Sequence, residues 1–109
     1  MTLETFAQEA NFDIICMPEP KKDVKGVYIG DLLSWVMGKA ESGNAWITIM
    51  TNVNVVAVAT LADVSCVVLA EGVVPEESVI TAAKDKGVNI LSTPLTQYEA
   101  AKKISAVFR

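Results

Sequence analysis

Apolar residues gather in short runs at 12–17, 45–50 and 65–70, nearly continuous at 45–50, and the last two runs end in short polar loops. Between the runs, apolar positions recur at helical spacing. Continuous apolar runs suit strands covered on both faces, and a helix between two such strands is the unit of a parallel sheet. The segment 47–72 holds the clearest strand–loop–helix–strand unit, and a second half-unit built like it follows.

Thr2 is placed to cap a helix over 3–10, with Leu3, Phe6 and Ala10 near one face. A strand over 12–17 and a charged loop over 18–23 come next. Residues 24–29 form a second strand interrupted by Gly26. Asp31 is then the expected cap of a helix over 32–37, whose stripe is Leu32, Leu33, Val36 and Met37, with Gly38 ending it in a left-handed conformation. The third strand covers 45–50 and the fourth 65–70. Pro75 leads a helix over 76–86 that Gly87 terminates, with Glu76 and Glu77 at its start and Lys84 and Lys86 at its end, as the helix dipole prefers. A fifth strand covers 89–93. Thr96 and Glu99 have capping-box spacing before a final helix over 97–107, with Tyr98, Ala101, Ile104 and Phe108 directed to the core.

Segment 53–62 sets two preferences against each other. Val53, Val55, Val56 and Val58 favour a strand. Three features favour a helix instead. Thr51 and Asn52 offer caps. A hairpin turn at Thr51-Asn52 would lack the glycine that usually follows asparagine there. A helix also restores strand–helix alternation. Such a helix is apolar nearly all round, so it must be covered on more than one side. Val53, Val55, Val56, Val58 and Ala59 are therefore the first candidates for a subunit interface. The fold expected is α/β: a three-layer αβα sandwich with a mainly parallel sheet of four to five strands, forming one domain over residues 1–109.

Composition narrows the function classes. The chain has 109 residues, 51% hydrophobic and 20% charged, enough for a core without metals or disulfides. Net charge is −4, from 9 basic and 13 acidic residues, which disfavours nucleic acid as a partner. No basic amphipathic stretch suits a membrane surface, and no apolar run reaches spanning length. The first eleven residues are not expected to be a signal peptide. Cys16 and Cys66 sit in apolar strands, so buried reduced thiols and a cytoplasmic setting are expected. Trp35 and Trp46 are both expected in packing.

The chain has no histidine, no P-loop glycine–lysine signature, no dinucleotide-binding glycine fingerprint and no nucleophile elbow. No catalytic residue, cofactor or metal site is therefore assigned. In an open parallel sheet, ligands lie beyond the carboxyl ends of the strands. The loops there offer Asp31; Thr51, Asn52 and Asn54; Glu71 and Gly72; and Thr93 and Thr96. Helix capping and tight turns also account for these residue types. With no Lys or Arg among them, a neutral or hydroxyl-rich ligand fits better than a strongly anionic one.

The stretches Tyr28-Ile-Gly-Asp-Leu-Leu-Ser-Trp-Val-Met37, Trp46-Ile-Thr-Ile-Met-Thr-Asn52, Cys66-Val-Val-Leu-Ala-Glu-Gly72 and Gly87-Val-Asn-Ile-Leu-Ser-Thr-Pro94 together resemble a stand-alone DRTGG domain. The resemblance implies a bacterial protein with an α/β fold similar to the N-terminal domain of HPr kinase/phosphorylase. DRTGG domains are also accessory modules of phosphotransacetylases and of regulatory pyrophosphatases with CBS segments, and paired association is expected. Where relatives carry a Gly-Asp-Arg-like turn after the third strand, this chain has Thr51-Asn52-Val53-Asn54, so no role resting on that acidic–basic pair is expected. The resemblance implies a non-catalytic regulatory or interaction module, a homodimer, with a protein partner or small ligand. The alternative is a small-molecule sensor, with adenine nucleotides the first ligands to test.

Overall fold

After two consecutive strands near the start, strands and helices alternate along the chain, and the sheet they build is parallel except at one edge. The computed structural model describes residues 1–108 of the 109-residue chain. The elements are α1 (Leu3–Ala10), β1 (Asp13–Cys16), β2 (Gly26–Ile29), α2 (Leu33–Lys39), β3 (Asn44–Thr48), α3 (Asn54–Ala62), β4 (Cys66–Leu69), α4 (Glu77–Lys86), β5 (Ile90–Ser92) and α5 (Gln97–Val107). The five strands lie in the order β1-β5-β4-β3-β2. β2, β3, β4 and β5 are mutually parallel, and β1 joins β5 antiparallel. Parallel neighbours need a crossover of a dozen or more residues, and α2, α3 and α4 supply it.

Strand alternation divides the core into two layers. Ala45, Ile47, Cys66, Val68 and Leu91 face α1 and α5, meeting Leu3, Phe6, Ala100 and Ile104. Trp46, Val67, Leu69 and Ile90 face the other way and meet Val36, Val55, Val56, Ala59, Val79 and Ala83 of α2, α3 and α4. β3 and β4 are buried on both faces, as their continuous apolar runs predict. The result is the three-layer αβα sandwich.

α3 is helical despite its three valines. Asp63 ends it in the left-handed region (φ 55°), and its N–H donates to the carbonyls of Ala59 and Thr60. Thr2 caps α1, Gly87 (φ 72°) ends α4, and Thr96 and Glu99 form the predicted reciprocal capping box.

Other local expectations are corrected. Asp31 does not cap α2; Leu32 occupies that position with no side-chain bond, because the Asp31 carboxylate is engaged elsewhere. Gly38 lies inside α2, which runs on to Lys39. Of the predicted stripe only Val36 is fully buried, while Leu32 and Met37 face solvent. Thr51 and Asn52 do not cap α3, whose preceding position is Val53; Asn52 instead makes a local turn, its Oδ1 accepting from the Asn54 N–H at 2.9 Å. On α5 the inward face is Ala100 and Ile104, and Tyr98 and Phe108 are exposed. Trp46 is packed as expected, but Trp35 is 61% exposed.

Candidate functional site

The carboxyl ends of β2, β3, β4 and β5 bring the predicted ligand loops to one edge of the sheet, where they separate into three groups. The first centres on Asp31, which follows β2. Its Oδ1 accepts from the Thr48 hydroxyl at 2.8 Å, the Ile49 N–H at 3.0 Å and Gln97 Nε2 at 3.1 Å. Thr48 ends β3 and Gln97 opens α5, so one carboxylate ties three elements together. Thr48 is fully buried, and its hydroxyl also accepts from the Met50 N–H at 3.2 Å. This is a closed hydrogen-bonded knot whose groups already have partners. Thr48 and Gln97 are its members that the sequence reading missed, because their proximity to Asp31 exists only in the folded chain.

The second group is Glu71, Gly72 and Thr93. Glu71 (φ 61°) and Gly72 (φ 70°) are both left-handed, and their N–H groups donate to the carbonyls of Leu95 at 2.8 Å and Thr93 at 3.0 Å. A glycine tolerates that region; a glutamate there is strained. Gly72 and Thr93 line an open hollow of about 400 Å³ with Asp13, Ile15, Ser92 and Pro94. No basic side chain lines it. Thr93 is buried, and its hydroxyl accepts from the Leu95 N–H at 3.3 Å. Thr96 stands apart as the cap of α5.

Thr51, Asn52 and Asn54 form the third group, at the entrance to α3, with no shared hollow joining them to Asp31 or Gly72. The eight candidate residues share an edge, and the fold does not gather them around one cavity.

Two pairs of basic side chains line other hollows: Lys102 and Lys103 beside Leu95 and Glu99 on α5, and Lys22 and Lys86 at the opposite edge. Lys22 and Lys86 line a hollow of about 370 Å³ with Glu19, Asp63 and Gly87, at the carboxyl ends of α3 and α4. Asp63 pairs with Lys22 at 3.3 Å and accepts from the Ser42 hydroxyl at 2.6 Å. Those two contacts hold its carboxyl below the usual range. The sequence reading treated the 18–23 charge run as an exposed turn, and only the long-range approach of Asp63 and Gly87 reveals the hollow.

Among the described residues, no group of three or more His, Cys, Asp or Glu side chains gathers to hold a metal ion. Cys16 and Cys66 are free and buried, and burial raises both thiols. A thiol held protonated is a poor nucleophile.

The interface candidates divide. Val55, Val56, Val58 and Ala59 are buried in the chain's own core, against the sheet and the neighbouring helices, and only Val53 is open to solvent. The exposed apolar side of α3 is Val53 and Leu61, beside an apolar groove toward α4 lined by Ala57 and Ala82. Other exposed apolar residues lie on both faces of the β2 edge: Val27 and Ile29 on the side of α1 and α5, and Leu32, Trp35 and Met37 at α2 across the sheet.

Comparison with known proteins adds a family. The sequence model of the DRTGG domain matches residues 7–107. Among solved structures, the chain is similar to the CBS and DRTGG domains of the regulatory region of Clostridium perfringens pyrophosphatase, complexed with an activator, diadenosine tetraphosphate. The TM-score is 0.75 at 17% identity, and the match covers 94% of this chain and 45% of that one. No curated protein matches the chain.

Proposed function

Because the chain belongs to the DRTGG domain family, we propose that it is a non-catalytic regulatory or protein-interaction module that works as a homodimer. The observation that carries this reading is the group of exposed apolar side chains at α2, Leu32, Trp35 and Met37. Exposed apolar surface gathered on a small domain marks an interaction face. Solvent-facing residues of α2 make no contribution to the monomer's core, and Trp35 is the kind of side chain that anchors interfaces. The closed knot at Asp31 supports a structural rather than a catalytic role for the most polar part of the sheet edge. Two buried free thiols suit a reducing, cytoplasmic setting. The mass in solution, measured by light scattering across micromolar concentrations, is expected at twice that of the chain. A strict monomer at high concentration overturns the homodimer.

A second reading is a small-molecule sensor at the strand ends, and the strained Glu71 beside the Gly72–Thr93 hollow favours it. Strain of this kind concentrates at ligand clamps. The activator of the pyrophosphatase regulatory region makes adenine nucleotides the first panel. The absence of basic residues around the hollow favours adenosine over its phosphorylated forms. A ligand that binds only the folded chain raises the melting temperature, by the equivalent of about 2.7 kcal/mol at a hundred times its Kd. No shift with adenosine or diadenosine tetraphosphate removes this reading.

A further inference from the structure

α3 packs between α2 and α4 on one face of the sheet, and its outer side carries no charge. Residues 44–62 hold no Asp, Glu, Lys or Arg. A surface helix normally sets charged and polar residues opposite the core. Here the core side is Val55, Val56, Val58 and Ala59, and the outer side is Val53, Asn54, Ala57, Thr60 and Leu61. Leu61 is 71% exposed. Val53, Ala57, Thr60 and Leu61, with Ala82 of α4, line an apolar groove of about 400 Å³.

The outer pattern reads alike in both directions. Val53 and Leu61 stand four residues before and after Ala57, so the three form one row along the helix. Turned end over end about Ala57, the row sets Val53 against Leu61 and Leu61 against Val53. α4 has the same property in charge. Glu76 and Glu77 stand at its start, and Lys84 and Lys86, with Asp85 between them, at its end.

We propose that this face is the dimer seam: two copies pack α3 on α3 antiparallel about a twofold axis at Ala57. This rests on the homodimer reading above and says where the copies meet. Packed helices lie about 8–10 Å apart, and a small residue at the crossing allows the near end of that range. Trp35 and Met37 of α2, the helix beside α3, border the seam.

Charge complementarity makes a second copy the occupant and selects the antiparallel arrangement. α2, α3 and α4 are crossovers of one parallel sheet, so they run the same way. An axis across the helices turns each one end over end onto its own copy. The acidic start of α4 then comes toward the basic end of the other copy's α4, twice over. A twofold axis along the helices would instead bring Lys39, at the end of α2, toward Lys84 and Lys86 of the other copy.

The test uses the full chain. Ala57→Cys, treated with oxidised glutathione, is expected to form a disulfide between copies, with glutathione reduced as the two thiols lose their protons. Tyr98→Cys, on α5 across the sheet and 70% exposed, is expected not to. Val53→Cys and Leu61→Cys are expected to crosslink when mixed and not when treated separately, because the antiparallel row pairs one position with the other. Ala57→Glu sets two like charges at the axis and is expected to raise the dimer dissociation constant by about a hundredfold, while circular dichroism shows an unchanged fold. A wild-type dimer that survives Ala57→Glu, or that crosslinks at Tyr98→Cys and not at Ala57→Cys, overturns this seam and leaves the homodimer standing. Crosslinking of Val53→Cys alone overturns the antiparallel arrangement. A monomeric wild type overturns both seam and homodimer.

Discussion

Asp31 shows how one side chain can be chosen by its surroundings and misread from its neighbours. In sequence it precedes a helical stripe and looks like a cap. In the fold it accepts from Thr48, Ile49 and Gln97, and the cap position falls to Leu32. Thr48 is fully buried, so losing its acceptor leaves a desolvated hydroxyl. Asp31→Ala is expected to destabilise the chain by about 1–3 kcal/mol in urea unfolding. A loss below a few tenths would show the knot to be incidental. The two tryptophans diverge for a related reason. Trp46 is buried with its indole N–H donating to the Gly30 carbonyl at 2.8 Å, whereas Trp35 sits on the outer side of α2. Local sequence pattern suits both to packing, Trp35 on a helix and Trp46 on a strand, and only the contacts of the folded chain distinguish them. In the monomer, acrylamide is expected to quench Trp35 and spare Trp46, and the accessible fraction should fall on dimerisation.

Among the elements, α3 and α5 are the instructive pair. The valines of α3 carry strand preference, yet the segment is a helix because parallel β3 and β4 need a crossover between them. Alternation, a property of the whole chain, outweighed a propensity difference of about 1 kcal/mol per residue at most. α5 was legible locally. Its start is written in Thr96 and Glu99, whose reciprocal bonds run at 3.1 Å to the Glu99 N–H and 3.0 Å to the Thr96 N–H. Thr96→Ala is expected to cost about 1 kcal/mol, read as a lower urea midpoint at constant slope. Its buried face was less legible. Tyr98 and Ala100 differ in which way they point by a rotation that periodicity over so short a helix does not fix, and docking on the sheet chose Ala100.

For the molecule as a whole, acid stability follows from three carboxylates. Asp23 is held below its ordinary range by its bond to the N-terminal ammonium, Asp63 by Ser42 and Lys22, and Glu99 by the Thr96 backbone and hydroxyl. A carboxyl depressed in the folded state binds fewer protons there than in the unfolded chain. Its contribution is therefore complete above the unfolded value, near pH 4, and is lost as pH falls through the folded value. Stability is expected to be level from about pH 5 upward and to fall below pH 4. All three groups are exposed, so the effect should shrink in high salt. A melting temperature that rises on acidification would contradict the assignment. At this scale the sequence by itself determined the αβα class, the mainly parallel sheet, the N-caps of α1 and α5 and the glycine that ends α4, because strand and helix periods and capping chemistry are local. It also placed the candidate loops at one edge, since chain order fixes which ends of parallel strands coincide. Tertiary structure alone decided that Asp31 is tied to Gln97, that Val55, Val56, Val58 and Ala59 lie in the chain's own core, and that β2 is an outer strand. Strand order and helix rotation depend on contacts between residues far apart in the chain, which no local pattern records.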